Sequence, residues 1–386
     1  MFGRLCMTIL SLLLAACAST VLSPMPSPED TPRGDVLTYR GDAGRSGRMA
    51  GPGPAGTPQV AWQLDTGGPI ETSPLVHDGT VYLASGDGVV RAIVLRDGDV
   101  RWEQHTGHEL SANPLIVGDR LVVADLEGTV RTMSLANGAI TWTARTDGPI
   151  TGSGVYAGGH LLVATETGTI YALDPATGGT SWTHAAGGGI RRSLAAANGT
   201  LYVGVTGGTL LALDVRDGRE RWRAGLADFG EISTPTAADG IAVAASGIGA
   251  AESSARAIVA LDALTGEEAW RYASPSFDQL YTPAVVDGIA YVVGHDARIV
   301  ALDAATGAQR WAIEVGGEVD ALPAVVDGVI YTATDAGEVI AVSAADGVVR
   351  WRVEIQGTPW GPSVSGGYVL IGTSVGVLYA IGTSAP

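Results

Sequence analysis

The sequence predicts an all-β protein: an eight-bladed β-propeller of four-stranded antiparallel blades, closed by a strand from each terminus. Three observations predict it. Eight of the nine tryptophans (Trp62, Trp102, Trp142, Trp182, Trp222, Trp270, Trp311 and Trp351) lie on one lattice, with steps of 40, 40, 40, 40, 48, 41 and 40 residues. Between these anchors run short alternating apolar stretches such as Thr80-Val-Tyr-Leu-Ala and Ile289-Ala-Tyr-Val-Val. They are punctuated by Asp78-Gly79, Asn198-Gly199, Asp239-Gly240, Asp287-Gly288 and Asp327-Gly328, the chemistry of tight hairpins. The pieces left at the two ends, Val60–Leu64 and Trp360–Gly382, add up to one further unit. Four strands in every ~40 residues is the arithmetic of a propeller blade. Composition agrees: Gly is 55 of 386 residues and Phe only three, which suits many short strands and turns.

The first residues read as an export signal. Arg4 supplies a positive charge, and Leu5 to Ala16 form an apolar core too short to span a ~30 Å hydrocarbon layer. The core ends Leu14-Ala15-Ala16-Cys17, which resembles the bacterial lipobox, where cleavage precedes a Cys that becomes lipid-modified. An ordinary signal peptide with an incidental Cys is the alternative. The expected organisation is a lipoprotein signal peptide at 1–16, a lipidated Cys17 with a Pro/Gly-rich tether at 17–57, and the propeller at 58–386. Both cysteines, Cys6 and Cys17, fall in the leader, so the body offers no disulfide and no thiol for catalysis or metal binding. All 23 basic residues are Arg and the net charge is −17, so nucleic acid and anionic lipid surfaces are poor partners.

Within each unit the same phrase precedes the anchor. One copy is Tyr171-Ala-Leu-Asp174-Pro-Ala-Thr177-Gly178 before Trp182; others are Ala260-Leu-Asp262-Ala-Leu-Thr265-Gly266 and Ala301-Leu-Asp303-Ala-Ala-Thr306-Gly307. The anchor Trp is read as a flat side chain filling the wedge between blades. The Asp of the phrase (Asp174, Asp214, Asp262, Asp303) is read as a turn-capping carboxylate.

This phrase, repeated in register over about 58–382, resembles the pyrroloquinoline-quinone-type propeller repeat, closest in type to the BamB-like outer-membrane assembly lipoproteins. Tyr39-Arg-Gly-Asp42-Ala-Gly-Arg45-Ser-Gly47 resembles the lead-in of such propellers. Its Arg-Gly-Asp triplet, like Arg33 to Asp35, matches the integrin-ligand tripeptide, a match expected by chance. The resemblance implies one of two roles: a quinone-dependent dehydrogenase holding quinone and Ca²⁺ in the central funnel, or a non-catalytic lipoprotein. The dehydrogenases carry a vicinal Cys pair and long loops roofing the funnel; here the body has no Cys, and the one sizeable insertion is Ser246 to Arg256. No acidic cluster suggests Ca²⁺, no nucleophile elbow or zinc-type His pair is present, and the six His are scattered as surface groups. The expectation is therefore no catalytic residue, no metal and no cofactor. The chain is expected to be a monomeric scaffold that binds envelope proteins through its loops or ring face and meets the membrane only through its lipid.

A site, if present, would sit at the funnel mouth, on the loops leading into the innermost strands. Aligned on the recurring Pro74, Pro114, Pro235, Pro283, Pro323 and Pro362, most positions two and three residues upstream are small or polar. The departures are Arg191, Arg192, Tyr281 and Trp360, with Glu71 and Asp320 as the carboxylates. A guanidinium pair plus two aromatics could hold a carboxylate or a planar ligand. Equally, the Arg pair could answer Glu71 and Asp320 across the channel while the aromatics plug it. Strand alternation would turn only one of Arg191 and Arg192 inward.

Overall fold

A computed structural model describes residues 34–226, 230–245, 257–273 and 281–383. The leader with Cys17 and the insertion at 246–256 lie outside the described residues. Every regular element among them is a strand, and the thirty-two strands form eight four-stranded antiparallel sheets. Blade one shows the plan: Leu75–His77 innermost, then Thr80–Ala84, Val89–Val94 and the outer Val100–His105. Blades two to seven repeat it along the chain. Blade eight takes three strands from the C-terminal end, Ser363–Ser365, Tyr368–Gly372 and Val377–Gly382, and its outer strand Gln59–Asp65 from the N-terminal side. The register runs from Gln59 opposite Gly382 to Asp65 opposite Val377, so the ring closes as the sequence predicts.

Burial explains the strand patterns. A middle strand is covered on both faces by neighbouring blades, so Thr80–Ala84 is buried throughout. The outer strand Val100–His105 has one face on the surface and alternates in exposure. The apolar core is thus divided into layers between blades; in one, Leu75, Tyr82 and Val90 of blade one meet Ile116, Leu121 and Met133 of blade two. At the inner hairpins, Asp78 (φ 46°) and Gly79 (φ 66°) both adopt the left-handed region, as do Asn198-Gly199, Asp239-Gly240, Asp287-Gly288 and Asp327-Gly328. This is what a two-residue turn matched to strand twist requires.

The lattice Trp works differently from a plain wedge filler. Only Trp222 and Trp270 are fully buried; the other six are half-buried. Seven of the eight rings, all but Trp351, lie across the outer turn of the next blade. At Gly307 (φ 71°) an added Cβ would come within 2.8 Å of the Trp270 ring, and Gly98, Gly138, Gly178, Gly218, Gly266 and Gly347 repeat the arrangement. Six of the eight indoles also donate to a backbone carbonyl of that next blade, at 2.8–3.2 Å. The turn Asp caps as expected: Asp303 accepts from the backbone N–H of Ala305 and Thr306 at 3.1 and 3.0 Å.

The tether expectation fails for residues 36–51. This segment is folded inside the ring and touches all eight blades. Val36 pairs with Val76 and Thr38 with Leu115; Arg45 reaches Gly154; Ala43 accepts from Ala196, Gly44 from Ala237 and Ser46 from Val285. Gly47 and Met49 bond Val325, and Gly51 bonds Val364. The physical reason is that eight three-residue inner strands present unpaired backbone groups to the channel, and buried N–H and C=O groups demand partners. Arg45, fully buried, donates to the carbonyls of Leu194 (2.8 Å), Tyr39 (2.7 Å) and Gly154, and to Thr38 Oγ1 (2.7 Å). Burial pushes its guanidinium down to about 10, so it stays charged at neutral pH. Arg40 is also buried and donates to the carbonyls of Arg45 and Pro283, which takes that Arg-Gly-Asp triplet out of reach of a receptor.

Candidate functional site

The chain enters beside the hairpin at 77–79, where Asp35 holds His77 and the Asp78 N–H, climbs to Tyr39, and turns back. Above that turn the loops leading into the inner strands surround a cavity of about 440 Å³ floored by Tyr39. All six residues singled out in the sequence line it: Glu71, Arg191, Arg192, Tyr281, Asp320 and Trp360. They come from blades one, four, six, seven and eight, so the arginines lie diametrically across the ring from Trp360.

Neither arginine pairs with Glu71 or Asp320, which corrects the cross-channel alternative. Arg192 reaches Glu231 on the loop into blade five at 3.3 Å, and Arg191 lies 3.8 Å from Glu166 of blade three. Both arginines line the cavity, against the expectation of one, because residues 191–194 precede the strand and do not alternate. Arg192 Nε is buried without a partner.

Asp320 is engaged locally. Its Oδ1 accepts from the Tyr281 hydroxyl at 2.7 Å and faces His295 Nε2 at 2.8 Å. Burial, and then the Asp320 carboxylate, raise the Tyr281 phenol, which stays a donor at all ordinary pH. His295 is therefore part of a polar cluster and no scattered surface group. It occupies the same second-hairpin turn as Glu166 does in blade three, and each reaches forward to the next blade. Trp360 does not plug the channel: it is 41% exposed at the rim, and Tyr39 closes the base instead.

A belt of short polar side chains underlies this cavity and was missed in the sequence. The Ser73 N–H donates to Asn113 Oδ1, Asn113 N–H to Ser153 Oγ, Ser153 N–H to Ser193 Oγ, and Ser193 N–H to Thr234 Oγ1. Thr282 Oγ1 continues it to the Thr234 carbonyl. The signal was available: these residues stand one position before the recurring Pro, or its equivalent, at steps of 40, 40, 40, 41 and 48 residues. Leu322 and Gly361 of blades seven and eight have no side-chain oxygen, and Ser73 Oγ donates to the Gly361 carbonyl at 2.9 Å.

Ca²⁺ fits this donor set poorly. Ca²⁺ takes six to eight converging oxygens. Here the two carboxylates, Glu71 and Asp320, stand two blades apart, and no group of three metal-ligating side chains occurs among the described residues.

A ring of eight four-stranded blades with Trp-anchored outer turns defines the chain as a propeller of the pyrroloquinoline-quinone repeat type. It belongs to the family described as outer membrane protein assembly factor BamB, whose model matches residues 55–153, 126–276 and 254–384. Solved structures agree on the fold. BamB from Moraxella catarrhalis is 19% identical, with a TM-score of 0.70 over 85% of this chain and 100% of that one. The quinohemoprotein alcohol dehydrogenase from Comamonas testosteroni is 15% identical, with a TM-score of 0.71 over 92% of this chain and 82% of that one. A europium-containing methanol dehydrogenase is 14% identical, with a TM-score of 0.75 over 91% and 98%. No curated protein sequence matches the chain.

Proposed function

We propose that this chain is a non-catalytic, lipid-anchored propeller of the bacterial cell envelope, a scaffold that binds proteins during envelope or outer-membrane protein assembly. The observation that carries this reading is the match of the assembly-factor model across nearly the whole propeller. The chemistry of the funnel supports it. The channel is filled from below by residues 36–51, and short Ser and Thr hydroxyls make up much of the lining above that plug. Protein partners would meet the rim loops or ring face, and Cys17 would carry the only membrane attachment. The dehydrogenase-like alternative rests on shared fold with proteins 14–15% identical.

Three measurements test the proposal. Mass spectrometry of the mature N-terminal peptide should find a lipidated Cys17, and the detergent-extracted protein should co-purify with envelope proteins. Dye-reduction assays with pyrroloquinoline quinone, Ca²⁺ and a panel of alcohols and sugars should show no turnover. Micromolar quinone binding with turnover lost in Glu71→Gln or Asp320→Asn would overturn the reading.

A further inference from the structure

We infer that the funnel cavity is a binding site for a short zwitterionic peptide, its carboxylate held at Arg191 and Arg192 and its ammonium between Trp360, Glu71 and Asp320. The inference stands apart from the scaffold role, since a peptide in the funnel requires no protein on the rim.

The two walls of the cavity differ in charge. On blade four, Arg191 and Arg192 face the cavity, while Glu166 and Glu231, which steady them, are not part of its lining. On the opposite side, Glu71 of blade one and Asp320 of blade seven flank Trp360 of blade eight. Two carboxylates beside a half-exposed indole form a seat for a cation, through charge and through the negative ring face. A cavity cationic on one side and anionic on the other is complementary to a dipolar ligand. A simple anion would satisfy the first wall and be repelled by the second.

Two polar atoms on the lining are buried and unpartnered: Arg192 Nε and Ser111 Oγ. Buried donors and acceptors are ordinarily satisfied, so these mark positions where a ligand oxygen or N–H completes the set. Between the charged walls the floor is Tyr39 and the hydroxyl belt, with Thr151 and Ser233 beside it, a surface that can exchange hydrogen bonds with amide groups. The volume, about 440 Å³, falls within the ~300–1,000 Å³ of small-molecule sites. It exceeds the needs of a single small amino acid.

Calorimetric titration of the purified chain with Ala-Ala-Ala tests this, beside the same peptide acetylated at its N-terminus or amidated at its C-terminus. The free peptide should bind, and each block should weaken it about tenfold or more, the scale of one lost charge-assisted contact. Arg192→Gln should abolish the difference between acid and amide, Arg192→Lys should restore part of it, and Glu71→Gln should abolish the difference between amine and acetyl. Trp360→Ala should weaken every form. Each variant is compared only if its thermal melt matches the parent. Equal binding of blocked and free peptides overturns the inference. So does tighter binding of acetate or of a neutral oligosaccharide, or the absence of heat at about 10 mM peptide.

Discussion

The outer girdle of the ring and its centre are assembled on opposite principles. Around the girdle one device recurs: in seven places an indole is laid over the glycine turn of its neighbour, and six indoles are bonded to that neighbour's backbone. At the centre one bond also recurs, since in six blades the middle N–H of the inner strand donates to a carbonyl of residues 36–51, but every copy falls on the same single segment. That segment is itself held by two buried arginines of unlike bonding. A load shared by seven similar staples is tolerant, because losing one leaves six. A load carried by one segment is not. Damage at the centre should therefore be felt by the whole ring.

The largest effects follow from this contrast. Removing 58–66 strips blade eight of its outer strand and exposes a sheet edge; the product should aggregate and lose its cooperative melt. A deletion that stays monomeric and equally stable on gel filtration and calorimetry would break the closure argument. Arg45→Ala leaves three carbonyls and a hydroxyl unpaired in the interior, and should cost about 3–5 kcal/mol in denaturant melts.

The largest girdle substitution should match that in size, and the others should fall below it. Trp270→Ala, at a buried ring bonded to Ala304, should cost about 3–5 kcal/mol, and the half-buried Trp351 clearly less. Gly307→Ala against Gly288→Ala separates two terms. Both need a left-handed backbone, worth about 1–2 kcal/mol, but only Gly307 has an indole in the way. Equal losses would show that the Trp ring yields freely.

Acid should reveal the turn carboxylates. Hydrogen bonds from Arg216, then Arg221, hold Asp214 well below the usual carboxylate range. A depressed folded pKa contributes stability that is complete above the unfolded value of ~3.9 and is lost as pH falls beneath it. Urea midpoints should be flat above about pH 5 and drop below pH 4, less steeply in Asp214→Asn. The smallest effect is expected at the rim: Trp360→Ala should change stability by no more than about 0.5 kcal/mol.

What could be read in advance follows the same division. Periodic features were legible, because a repeated unit prints its spacing: the blade count, the hairpins, the closing strand and the six funnel residues all came from aligning copies. His295 was not, since one His in one turn has no counterpart in register. The plug was invisible for a related reason. Residues 36–51 belong to no repeat, and their composition, with four glycines and four charges, reads as linker until the channel they fill is known. The hydroxyl belt was periodic and still escaped notice, because its small side chains look like ordinary turn residues.

The closing strand also sets an order of events. Gln59 finds Gly382 only after more than three hundred further residues have been synthesised. At ~5–20 residues per second that is a wait of roughly 15–65 s, during which the earliest-made strand has no partner. The plug waits as well, since its last contacts are with Val325 and Val364. Blades one to seven can form as the chain emerges, yet the ring locks in a single late step of very high contact order. A ribosome stalled near residue 350 would therefore hold most of the blades and none of the closure, leaving at each end a strand edge open to a chaperone or to another copy.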